Sequence, residues 1–578
     1  MTELTYREGV PQYTLEHYET DYADRHLLHG VIRKWAVETP EQIAIIDAET
    51  GNQYTYREFD EAITALALRL LNLGFGPGDF LATSLPLYVE HIFLEYACFQ
   101  LGVIHAPLDL RLKEEEIVRS LEMIQAKGYV FPGDTGVVDL SHLGRIVQDQ
   151  CPFVEHFIQM SPDGETIPGA LAYETFAAQS IPADSDVHAR YAEITAAVKP
   201  TDGAQVIYTT GSTGLPKPAL LTHRNITCQN MCLGGGFNMS QAKRQLVNLP
   251  PSHVGCQAEQ LMTSFFCGIT AVILYVFDAE KTLRAIQEYQ VDLFGQIPAM
   301  FNMQRLLPNY DSYDLSSVQA VMFGGQQVPT QFVEQVLAEF PSSATGLGLS
   351  EMAGFVTYTP VTRDVRQLTE TLGWWMPVTP LTIRAPMNED GTAGPELPDG
   401  EIGEICFSGP QVFREYVGNP EAYERTVTRD GVCYTGDLGA KSEHGLKFSG
   451  RSKLVIKPKG YQIHPAQIEE HFSRMKEHVA TCGAVGADHA IFSEGVVLFI
   501  ELKPDATLSR DTLEEHAREI ASYMRPSHYV LMSPGSFPLN RVAKSDYVRL
   551  REMATAEVEN LRAEGGWDCV KPEASHST

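Results

Sequence analysis

The sequence predicts an α/β protein with a large N-terminal domain of buried β-sheets flanked by helices and a small C-terminal α+β domain. Three observations support this fold class: the length of 578 residues, the alternation of short apolar strands with helices, and a change of composition near residue 450. A chain of this length exceeds what a single compact core accommodates, so two or more domains are expected.

The alternation of helix, turn and strand is first evident before residue 86. One apolar helical face is formed by residues at spacings of four and three, namely Phe59, Ile63, Leu66, Leu70 and Leu73. Gly74 is placed to end this helix, and residues 80–85 form the next predicted strand. Further buried strands are predicted at 272–276, 291–294 and 318–323. Such short apolar strands between helices are typical of largely buried sheets.

The composition changes after Gly450, where a basic stretch containing Arg451 and Lys453 begins. Beyond it the pattern predicts a helix at 465–475, a strand at 496–502, a helix at 511–524 and a strand at 529–532. About 130 residues suffice for a separate small domain. We therefore predict domains at 1–450 and 451–578, with the boundary between Ser449 and Leu454.

Charge and composition exclude several classes of function. Lys plus Arg is 44 and Asp plus Glu is 74, a formal net charge of -30, which disfavours nucleic acid and membrane surfaces as partners. No signal-peptide pattern opens the sequence, and its most apolar stretch, 265–277, is too short to span a bilayer. The ten cysteines show no paired CxxC spacing, and the histidines form no metal-binding pattern. We expect a cytoplasmic protein without a protein-built metal cage.

The most informative segment is the glycine- and hydroxyl-rich run at 208–217, Tyr-Thr-Thr-Gly-Ser-Thr-Gly-Leu-Pro-Lys. Its glycines free the backbone to point N–H groups at an anion, and its hydroxyls and lysine add donors. The spacing does not fit the GxxxxGK[ST] loop of mononucleotide-binding proteins. Taken alone, the run is equally consistent with a phosphate-binding loop and with a polar surface turn.

This run resembles the glycine-rich signature of the adenylate-forming superfamily, which includes acyl-CoA synthetases, adenylation domains of peptide synthetases and luciferases. Further segments match that family in order: Thr345-Gly346-Leu347-Gly348-Leu349-Ser350-Glu351; Tyr434-Thr435-Gly436-Asp437-Leu438; Gly450-Arg451-Ser452-Lys453 with Gly460-Tyr461-Gln462-Ile463; and Pro538-Leu539-Asn540-Arg541-Val542-Ala543-Lys544. The resemblance extends from about Tyr54 to about Tyr547, nearly the whole chain.

The resemblance implies an ATP site. Its residues would be Thr209, Thr210, Gly211, Ser212, Thr213, Gly214, Lys217, Gly324, Gly325, Gln326, Leu347, Gly348, Ser350, Asp437 and Arg451. Within this set, Asp437 and Arg451 would bind the ribose, and Gly324 and Gly325 the adenine. Glu351 would be the ligand of a magnesium ion, which prefers oxygen ligands and keeps several waters.

The resemblance also implies a catalytic lysine on a mobile C-terminal domain. Lys544 would bridge the carboxylate and the α-phosphate, because a point charge on a flexible stem can follow the developing negative charge. Lys453 would be the hinge, and Gly460 and Tyr461 would line the channel for coenzyme A. His253 would gate the approach of the thiol at the rim of the acyl pocket.

The sequence departs from the family pattern at several positions. Leu347 replaces the tyrosine that stacks on adenine, Ser350 a threonine, and Pro218 the glycine that commonly follows the lysine. Leu454 replaces the acidic residue after the hinge, and Ala543 the glycine before Lys544. None of these changes removes a charge that the chemistry requires.

The resulting expectation is an AMP-forming acid:CoA ligase that uses ATP, magnesium and coenzyme A. The acyl pocket would include His253, Val254, Gly324 and Leu349. The segments around the pocket contain no arginine or lysine to hold a second carboxylate, so we expect a monocarboxylic acid that is aromatic, alicyclic or medium-chain. Two alternatives remain open: transfer of the acyl group to a carrier-protein thiol, and a catalytically silent nucleotide-binding relative. A luciferase-like oxygenase shares the motifs, but no feature of the sequence favours it.

Overall fold

The computed structural model of the chain describes residues 2–134, 139–161, 165–210, 216–325, 328, 330–451, 454–456, 463–490, 493–540 and 545–568. The α-helices are α1 (Leu28–Glu38), α2 (Tyr56–Asn72), α3 (Val89–Leu101), α4 (Glu114–Ile124), α5 (Ser141–Gln150), α6 (Tyr173–Ala178), α7 (Asp186–Ala197), α8 (His223–Gly236), α9 (Thr263–Cys267), α10 (Ala279–Tyr289), α11 (Pro298–Arg305), α12 (Thr330–Glu339), α13 (Val365–Thr369), α14 (Pro420–Glu424), α15 (Pro465–Ser473), α16 (Arg510–Ala517) and α17 (Tyr547–Ala563).

The strands are β1 (Tyr6–Arg7), β2 (Val10–Pro11), β3 (Ile43–Asp47), β4 (Gln53–Thr55), β5 (Phe80–Thr83), β6 (Ile104–Pro107), β7 (Gly128–Pro132), β8 (His156–Met160), β9 (Leu171–Ala172), β10 (Gly203–Thr210), β11 (Pro216–Thr222), β12 (Arg244–Val247), β13 (Thr270–Ile273), β14 (Leu293–Gln296), β15 (Ala320–Phe323), β16 (Ser343–Ala344), β17 (Gly348–Leu349), β18 (Gly354–Phe355), β19 (Thr357–Tyr358), β20 (Trp374–Trp375), β21 (Leu381–Arg384), β22 (Gly403–Phe407), β23 (Glu415–Tyr416), β24 (Cys433–Ser442), β25 (Gly445–Arg451), β26 (Val479–His489), β27 (Ser493–Leu502) and β28 (His528–Met532).

Two large sheets dominate the N-terminal part. The first has eight strands in the order β23-β11-β10-β6-β5-β7-β8-β9, and the second has seven in the order β16-β15-β14-β12-β13-β3-β4. Most neighbours are parallel, whereas β11 pairs antiparallel with both β10 and β23. Parallel strands need crossover connections, and the helices that supply them bury both faces of each sheet.

In helix α2, the apolar residues predicted to share one face pack into the core. It begins after Thr55, whose hydroxyl accepts a hydrogen bond from the Glu58 N–H in a capping box. It buries the predicted face through Phe59, Ile63, Leu66 and Leu70, which are at most 4% exposed. The predicted helix is confirmed, because residues at this spacing share one side of a 3.6-residue turn.

A polar network lies inside the eight-stranded sheet, where β10 meets β6. Gln205 of β10 stands opposite His105 of β6 and donates a hydrogen bond of 2.5 Å to Glu95 Oε1 of α3. His105 Nδ1 lies 3.3 Å from the same oxygen. Burial raises the pKa of Glu95 to about 8 and lowers the pKa of His105 to about 3. A neutral, hydrogen-bonded group therefore anchors the strand that ends at Thr210.

Beyond β25 the chain forms a three-stranded sheet in the order β26-β27-β28, which packs against helices α15, α16 and α17. Two separate apolar clusters, one around Ile468 and Leu498 and one around Phe499 and Leu550, are built only from residues between 456 and 567. The α/β class, with a large sheet-rich N-terminal part and a smaller C-terminal α+β part, is confirmed. The boundary near residue 450 stays a prediction.

The C-terminal elements differ from the sequence pattern in three respects. Strand β26 and helix α17 were not predicted, although β26 pairs with β27 over its whole length. The predicted helix at 511–524 ends at Ala517 and is followed by a short 3-10 turn, Ser522–Met524. In the part of the chain that the structure describes, no helix is long and apolar enough to cross a membrane.

The buried Glu95 predicts a specific pH dependence of stability. Because its folded pKa lies above the usual value of 4.5, the folded chain holds a proton that the unfolded chain has released. The stability that Glu95 contributes is fully present below about pH 4.5 and is lost as the pH rises through about 8. In Glu95→Gln the side chain has a similar shape and is neutral at every pH. When the pH rises from 7 to 9, the unfolding free energy of this variant should therefore fall by roughly 1 kcal/mol less than that of the wild type.

Urea denaturation at both pH values measures this difference. His91 and His105 have lowered pKa values, of about 4 and about 3, and stay neutral throughout that range. Parallel stability curves for the two proteins would mean that Glu95 is ionised in the folded state.

Candidate active site

The glycine-rich run is flanked by two antiparallel strands, β10 and β11. Strands β10 and β11 pair with Thr209 opposite Lys217 and Thr210 opposite Pro216, so the five residues 211–215 connect them. The predicted phosphate-binding residues Gly211, Ser212, Thr213 and Gly214 lie outside the described residues. Thr209 is 9% exposed, and its hydroxyl has no hydrogen-bond partner among the described residues. A buried hydroxyl without a partner beside this loop fits a site that receives an acceptor from a ligand.

Lys217 and Glu351 are brought together by a tyrosine that the sequence did not indicate. Lys217 Nζ lies 4.3 Å from the ring centroid of Tyr416. The Tyr416 hydroxyl donates a hydrogen bond of 2.6 Å to Glu351 Oε1. Tyr416 reaches this position because β23 adds to the edge of the hairpin, with Ala219 opposite Tyr416. The Lys217 cation thus contacts the Tyr416 ring, and the Tyr416 hydroxyl contacts the Glu351 carboxylate.

The conformation around Glu351 is fixed locally. Ser350 and Glu351 open a 3-10 turn between β17 and β18, and Ala353 closes it with φ +58°. The Phe413 N–H donates to the Glu351 carbonyl at 2.9 Å, which fastens this turn to the chain that leads into β23. Burial, followed by the Glu351 charge, raises the pKa of Tyr416, so the phenol stays a hydrogen-bond donor.

The segment before Glu351 is anchored to the seven-stranded sheet. The Thr345 hydroxyl donates to the Phe323 carbonyl at 2.8 Å, and the Leu347 N–H donates to the Thr357 hydroxyl at 2.9 Å. Leu347 is 8% exposed and belongs to the main apolar core, whereas Gly348 is exposed. In the predicted nucleotide-binding segment, the Leu347 side chain is therefore held in the core, and the backbone of Gly348, which follows it, is accessible.

Gly324 and Gly325 follow β15, at the carboxyl end of a parallel strand. Gly325 has φ +89°, a left-handed conformation that favours glycine. A Cβ on Gly324 would lie 3.0 Å from the Phe355 ring, so the backbone there is closely approached. Gln326, predicted next to them, lies outside the described residues. Ligands commonly bind at the carboxyl ends of such strands.

The predicted ribose residues lie on neighbouring strands. Asp437 of β24 is directly opposite Arg451 of β25 in the antiparallel ladder. Asp437 is 4% exposed, and its N–H donates to the Thr435 hydroxyl at 3.1 Å. Burial and the nearby Glu351 raise the pKa of the Cys433 thiol at the start of the same strand. Strand β24 therefore extends from the neighbourhood of Glu351 to Asp437.

His253 and Val254 precede a π-helical segment, Gly255–Met262. The Gly255 N–H donates to His253 Nδ1 at 3.0 Å, so that nitrogen is an acceptor and a proton on this ring resides on Nε2. His253 is half-buried, whereas Val254 is 3% exposed within the main core. Leu349, the fourth predicted residue of the acyl pocket, is half-buried in β17.

The predicted catalytic and hinge residues of the C-terminal part, Lys544, Lys453, Gly460 and Tyr461, lie outside the described residues. Their neighbours are described. Leu539 and Ser545 form a β-bridge that closes the segment containing Lys544, and Ile456 and Ile463 form another that closes the segment containing Gly460 and Tyr461. The described residues on either side of each segment are therefore paired with each other. The roles of these four residues stay predictions.

Tyr416 is the site residue that the sequence reasoning missed. The available signal was a lone tyrosine before the turn Gly418-Asn419-Pro420, a pattern that many loops share. Its role follows from a pairing between β11 and β23, which are almost two hundred residues apart in the chain. Local patterns carry no information on such a pairing.

One other group of potential metal ligands occurs among the described residues: His471, His516 and Glu519. The Nε2 atoms of the two histidines each donate to the backbone carbonyl of the other residue, at 2.9 and 3.1 Å. Their rings stack at 4.1 Å with an interplanar angle of 16°. Lone pairs on nearly parallel rings do not converge on one point, so this group is read as a contact between α15 and α16.

Fold and site together define an α/β enzyme of the adenylate-forming class. The family model for AMP-binding enzymes matches residues 32–417, and the chain belongs to that family. The predicted superfamily is thereby confirmed.

Known proteins resemble this chain over most of its length. YngI of Bacillus subtilis (strain 168), which is named as an acyl-CoA synthetase, is 25% identical over 93% of this chain and 99% of its own length. The feruloyl-CoA synthase of an Amycolatopsis species is 28% identical over 75% of this chain and 81% of its own. The crystal structure of ATP-bound MatB from Rhodopseudomonas palustris has a TM-score of 0.75 and 21% identity, and the match covers 92% and 99% of the two chains.

The Tyr416–Glu351 hydrogen bond yields a prediction. Tyr416→Phe keeps the ring against Lys217 but leaves Glu351 without the phenol donor, so the carboxylate is less well oriented. If Glu351 binds the divalent ion, the affinity for magnesium-ATP should fall roughly 10-fold, as expected for a lost hydrogen bond to a charged group. Isothermal titration calorimetry measures it. Tyr423→Phe, at a half-buried tyrosine 5.3 Å from the Phe413 ring, is the matched control. Equal affinities in both variants would contradict the role of Tyr416.

Proposed function

We propose that this chain converts a monocarboxylic acid and ATP into an acyl-adenylate and pyrophosphate, and then transfers the acyl group to coenzyme A with release of AMP. The observation that carries the proposal is the meeting of the Lys217 cation and the Glu351 carboxylate on Tyr416, next to the glycine-rich hairpin. Membership of the AMP-binding enzyme family supports the adenylate. The relatives named as acyl-CoA and feruloyl-CoA synthetases support coenzyme A as the acceptor.

In the first half-reaction an oxygen of the substrate carboxylate attacks the α-phosphorus of ATP, and the bond to the bridging oxygen of pyrophosphate breaks. Both reactants are anions, so the barrier depends on charge neutralisation. In the proposal, N–H groups and hydroxyls of residues 211–214 hold the phosphates together with Lys217. Lys544 bridges the attacking carboxylate and the α-phosphate. A chain with net charge -30 needs these local cations, since its overall field repels ATP.

Glu351 fits a hard divalent cation. Its carboxylate is half-buried, and the phenol of Tyr416 occupies one side of Oε1 at 2.6 Å, which orients the group without neutralising it. Mg²⁺ takes one or two protein carboxylates plus phosphate oxygens and waters. When bound, the ion would neutralise charge on the triphosphate. The half-buried Ser350 would place its hydroxyl against the α-phosphate.

The nucleoside would be held by residues on four different strands or at their ends. In the proposal, Asp437 accepts hydrogen bonds from the ribose hydroxyls, with Arg451 opposite it. Gly324, Gly325 and Gln326 contact the adenine through the backbone. Leu347, packed in the core, provides apolar contact where the family has an aromatic ring.

In the second half-reaction the thiolate of coenzyme A attacks the acyl carbon, and AMP leaves as the thioester forms. We infer that a C-terminal domain, 451–578, turns about Lys453 between the two steps. Lys544 is then withdrawn, and the loop with Gly460 and Tyr461 lines the path of the thiol. Such a motion excludes water from the acyl-adenylate. His253, whose Nε2 proton points away from Gly255, gates this path.

Two alternatives give different products. Delivery to a carrier-protein thiol would release pyrophosphate without forming acyl-CoA, and a silent relative would bind nucleotide without turnover. The experiment is to follow AMP, pyrophosphate and acyl-CoA across a panel of aromatic, alicyclic and medium-chain monocarboxylic acids, with and without coenzyme A. AMP together with a thioester from one acid class is expected. If every acid gave pyrophosphate without a thioester, transfer to a carrier-protein thiol would replace the proposed transfer to coenzyme A.

If Lys544 is the catalytic lysine, its removal should slow the chemical step without weakening the binding of ATP. Lys544→Ala should lower the rate of adenylate formation at least 100-fold, because one group that stabilises developing charge is worth roughly that much. ATP affinity should change little, since the lysine acts in the transition state. Pyrophosphate exchange and calorimetry measure the two quantities. Lys476→Ala, at an exposed lysine of the same part of the chain, is the control. Unchanged exchange in Lys544→Ala would refute the assignment.

A further inference from the structure

A buried threonine joins two segments of the chain beside the proposed ATP site. Thr357 of β19 is fully buried, and its hydroxyl accepts a hydrogen bond of 2.9 Å from the Leu347 N–H. The same hydroxyl donates a hydrogen bond of 2.6 Å to the Leu372 carbonyl. One oxygen atom therefore bridges the segment proposed to contact the adenine and the chain that leads into β20.

On the adenine side, the Leu347 segment lies directly against the chain around Thr357. The Val356 N–H donates to the Leu347 carbonyl at 2.8 Å, so Leu347 is held through both its N–H and its carbonyl. A Cβ on Gly346 would overlap the Thr357 carbonyl oxygen, which means that the two backbones are in contact. The position of Leu347 therefore follows the position of Thr357.

On the ribose side, the bridge continues into β25. The Leu372 N–H donates to the Leu446 carbonyl at 2.8 Å, and the Leu446 N–H donates to the Gly373 carbonyl at 2.9 Å. Leu446 lies near one end of the antiparallel β24–β25 ladder, and Asp437, proposed to bind the ribose, lies at the other end. Paired strands transmit a displacement as one rigid element. Thr357 is therefore connected through Leu372 to the strand pair that carries Asp437.

The bridging hydroxyl lies where water cannot replace it. Thr357 and Leu446 are 0% exposed, and Leu347 is 8% exposed. Without the hydroxyl, the Leu347 N–H and the Leu372 carbonyl would each lose a partner inside the protein, which is unfavourable for buried backbone groups. A shift of either segment toward another partner would recover part of that cost. Such a shift would change the distance between the proposed adenine and ribose contacts.

A neighbouring threonine makes a similar contact without the second half of the bridge. Thr359 is also fully buried, and its hydroxyl accepts a hydrogen bond of 2.9 Å from the Thr345 N–H. Its N–H donates to the Thr345 carbonyl at 2.8 Å. Within the described ranges, the Thr359 hydroxyl makes no hydrogen bond to the chain around Leu372 or to β25. The two threonines therefore separate the loss of a buried hydroxyl from the loss of the connection.

We propose that Thr357 is a positioning residue for ATP, whose hydroxyl holds the adenine contact of Leu347 at a fixed distance from the ribose contact of Asp437. Because Thr357 is buried, it acts through the segments that it joins. The base and the ribose of a nucleotide are a fixed distance apart, so both contacts form together when the protein supplies the matching spacing. The inference rests on the proposed ATP site and adds a residue that none of its motifs contains.

The test compares the binding of ATP and of 2′-deoxy-ATP to the full-length chain by isothermal titration calorimetry. The deoxy nucleotide lacks one hydroxyl that Asp437 is proposed to bind, so the wild type should bind ATP roughly 10-fold more tightly. In Thr357→Val, which keeps the shape without the hydroxyl, ATP affinity should fall roughly 10-fold and 2′-deoxy-ATP affinity should fall less. The ratio of the two affinities should narrow, because a base seated against Leu347 no longer presents its ribose correctly to Asp437.

Conservative and control variants locate the cause of this change. Thr357→Ser retains a hydroxyl and should recover the wild-type affinities and their ratio. Thr357→Cys has a thiol that is only a weak donor and acceptor; it should give an intermediate ratio, and it supplies the measurement if the valine variant does not fold. Thr359→Val, the matched control, should lower the unfolding free energy in urea about as much as Thr357→Val but keep the wild-type ratio. In turnover, Thr357→Val should raise the KM for ATP and change kcat little.

The possible failures are distinguishable. Unchanged ATP affinity in Thr357→Val, an equal loss of affinity for both nucleotides, or the same narrowing in Thr359→Val would overturn the inference and leave the proposed ligase intact. A wild type that binds both nucleotides equally would also overturn it, since the ribose contact would then be missing. Absence of ATP binding by the wild type would refute the proposed function itself and, with it, the inference.

Discussion

The hydrogen bond from Tyr416 to Glu351 is the contact on which the arrangement of the candidate site depends. At 2.6 Å it joins the edge strand of the eight-stranded sheet to the turn between β17 and β18. The same ring faces Lys217 at the base of the glycine-rich hairpin. One tyrosine thus fixes the spacing between a cation proposed to bind phosphate and a carboxylate proposed to bind a metal ion. The bond forms because β23 pairs with β11 at the edge of the eight-stranded sheet.

The electrostatics of the chain explain why such local contacts matter. A formal charge of -30 opposes the binding of ATP, whose own charge is negative, unless donors and cations are concentrated at one place. The buried carboxyl group of Glu95 does not add to that charge at neutral pH. Burial raises the pKa of Glu95 to about 8, so at neutral pH it is a neutral hydrogen-bonding group next to β10. Strand β10, which leads to the glycine-rich run, is therefore held by a network without net charge.

Glycines allow close packing beside β17. The recess at Gly348 and Gly354 exists because no Cβ is present, and it admits the Glu259 carboxylate to a distance at which a side chain would clash. The neighbouring amide of Gln229 has no protein acceptor in the part of the chain that the structure describes.

The sequence by itself determined the fold class, the family and the apolar faces of elements such as α2, because these depend on local periodicity and on motifs of a few adjacent residues. It also identified the glycine-rich run, the Ser350–Glu351 pair and Asp437 as separate candidate segments. Tertiary structure decided what those segments contact. Tyr416 meets Glu351, and Glu259 meets Gly348 and Gly354, through strand pairing and packing between residues far apart in the chain. Strand β26 was missed for the same reason, since its pairing with β27 and its burial under α15 and α17, rather than its own composition, hold it in the sheet.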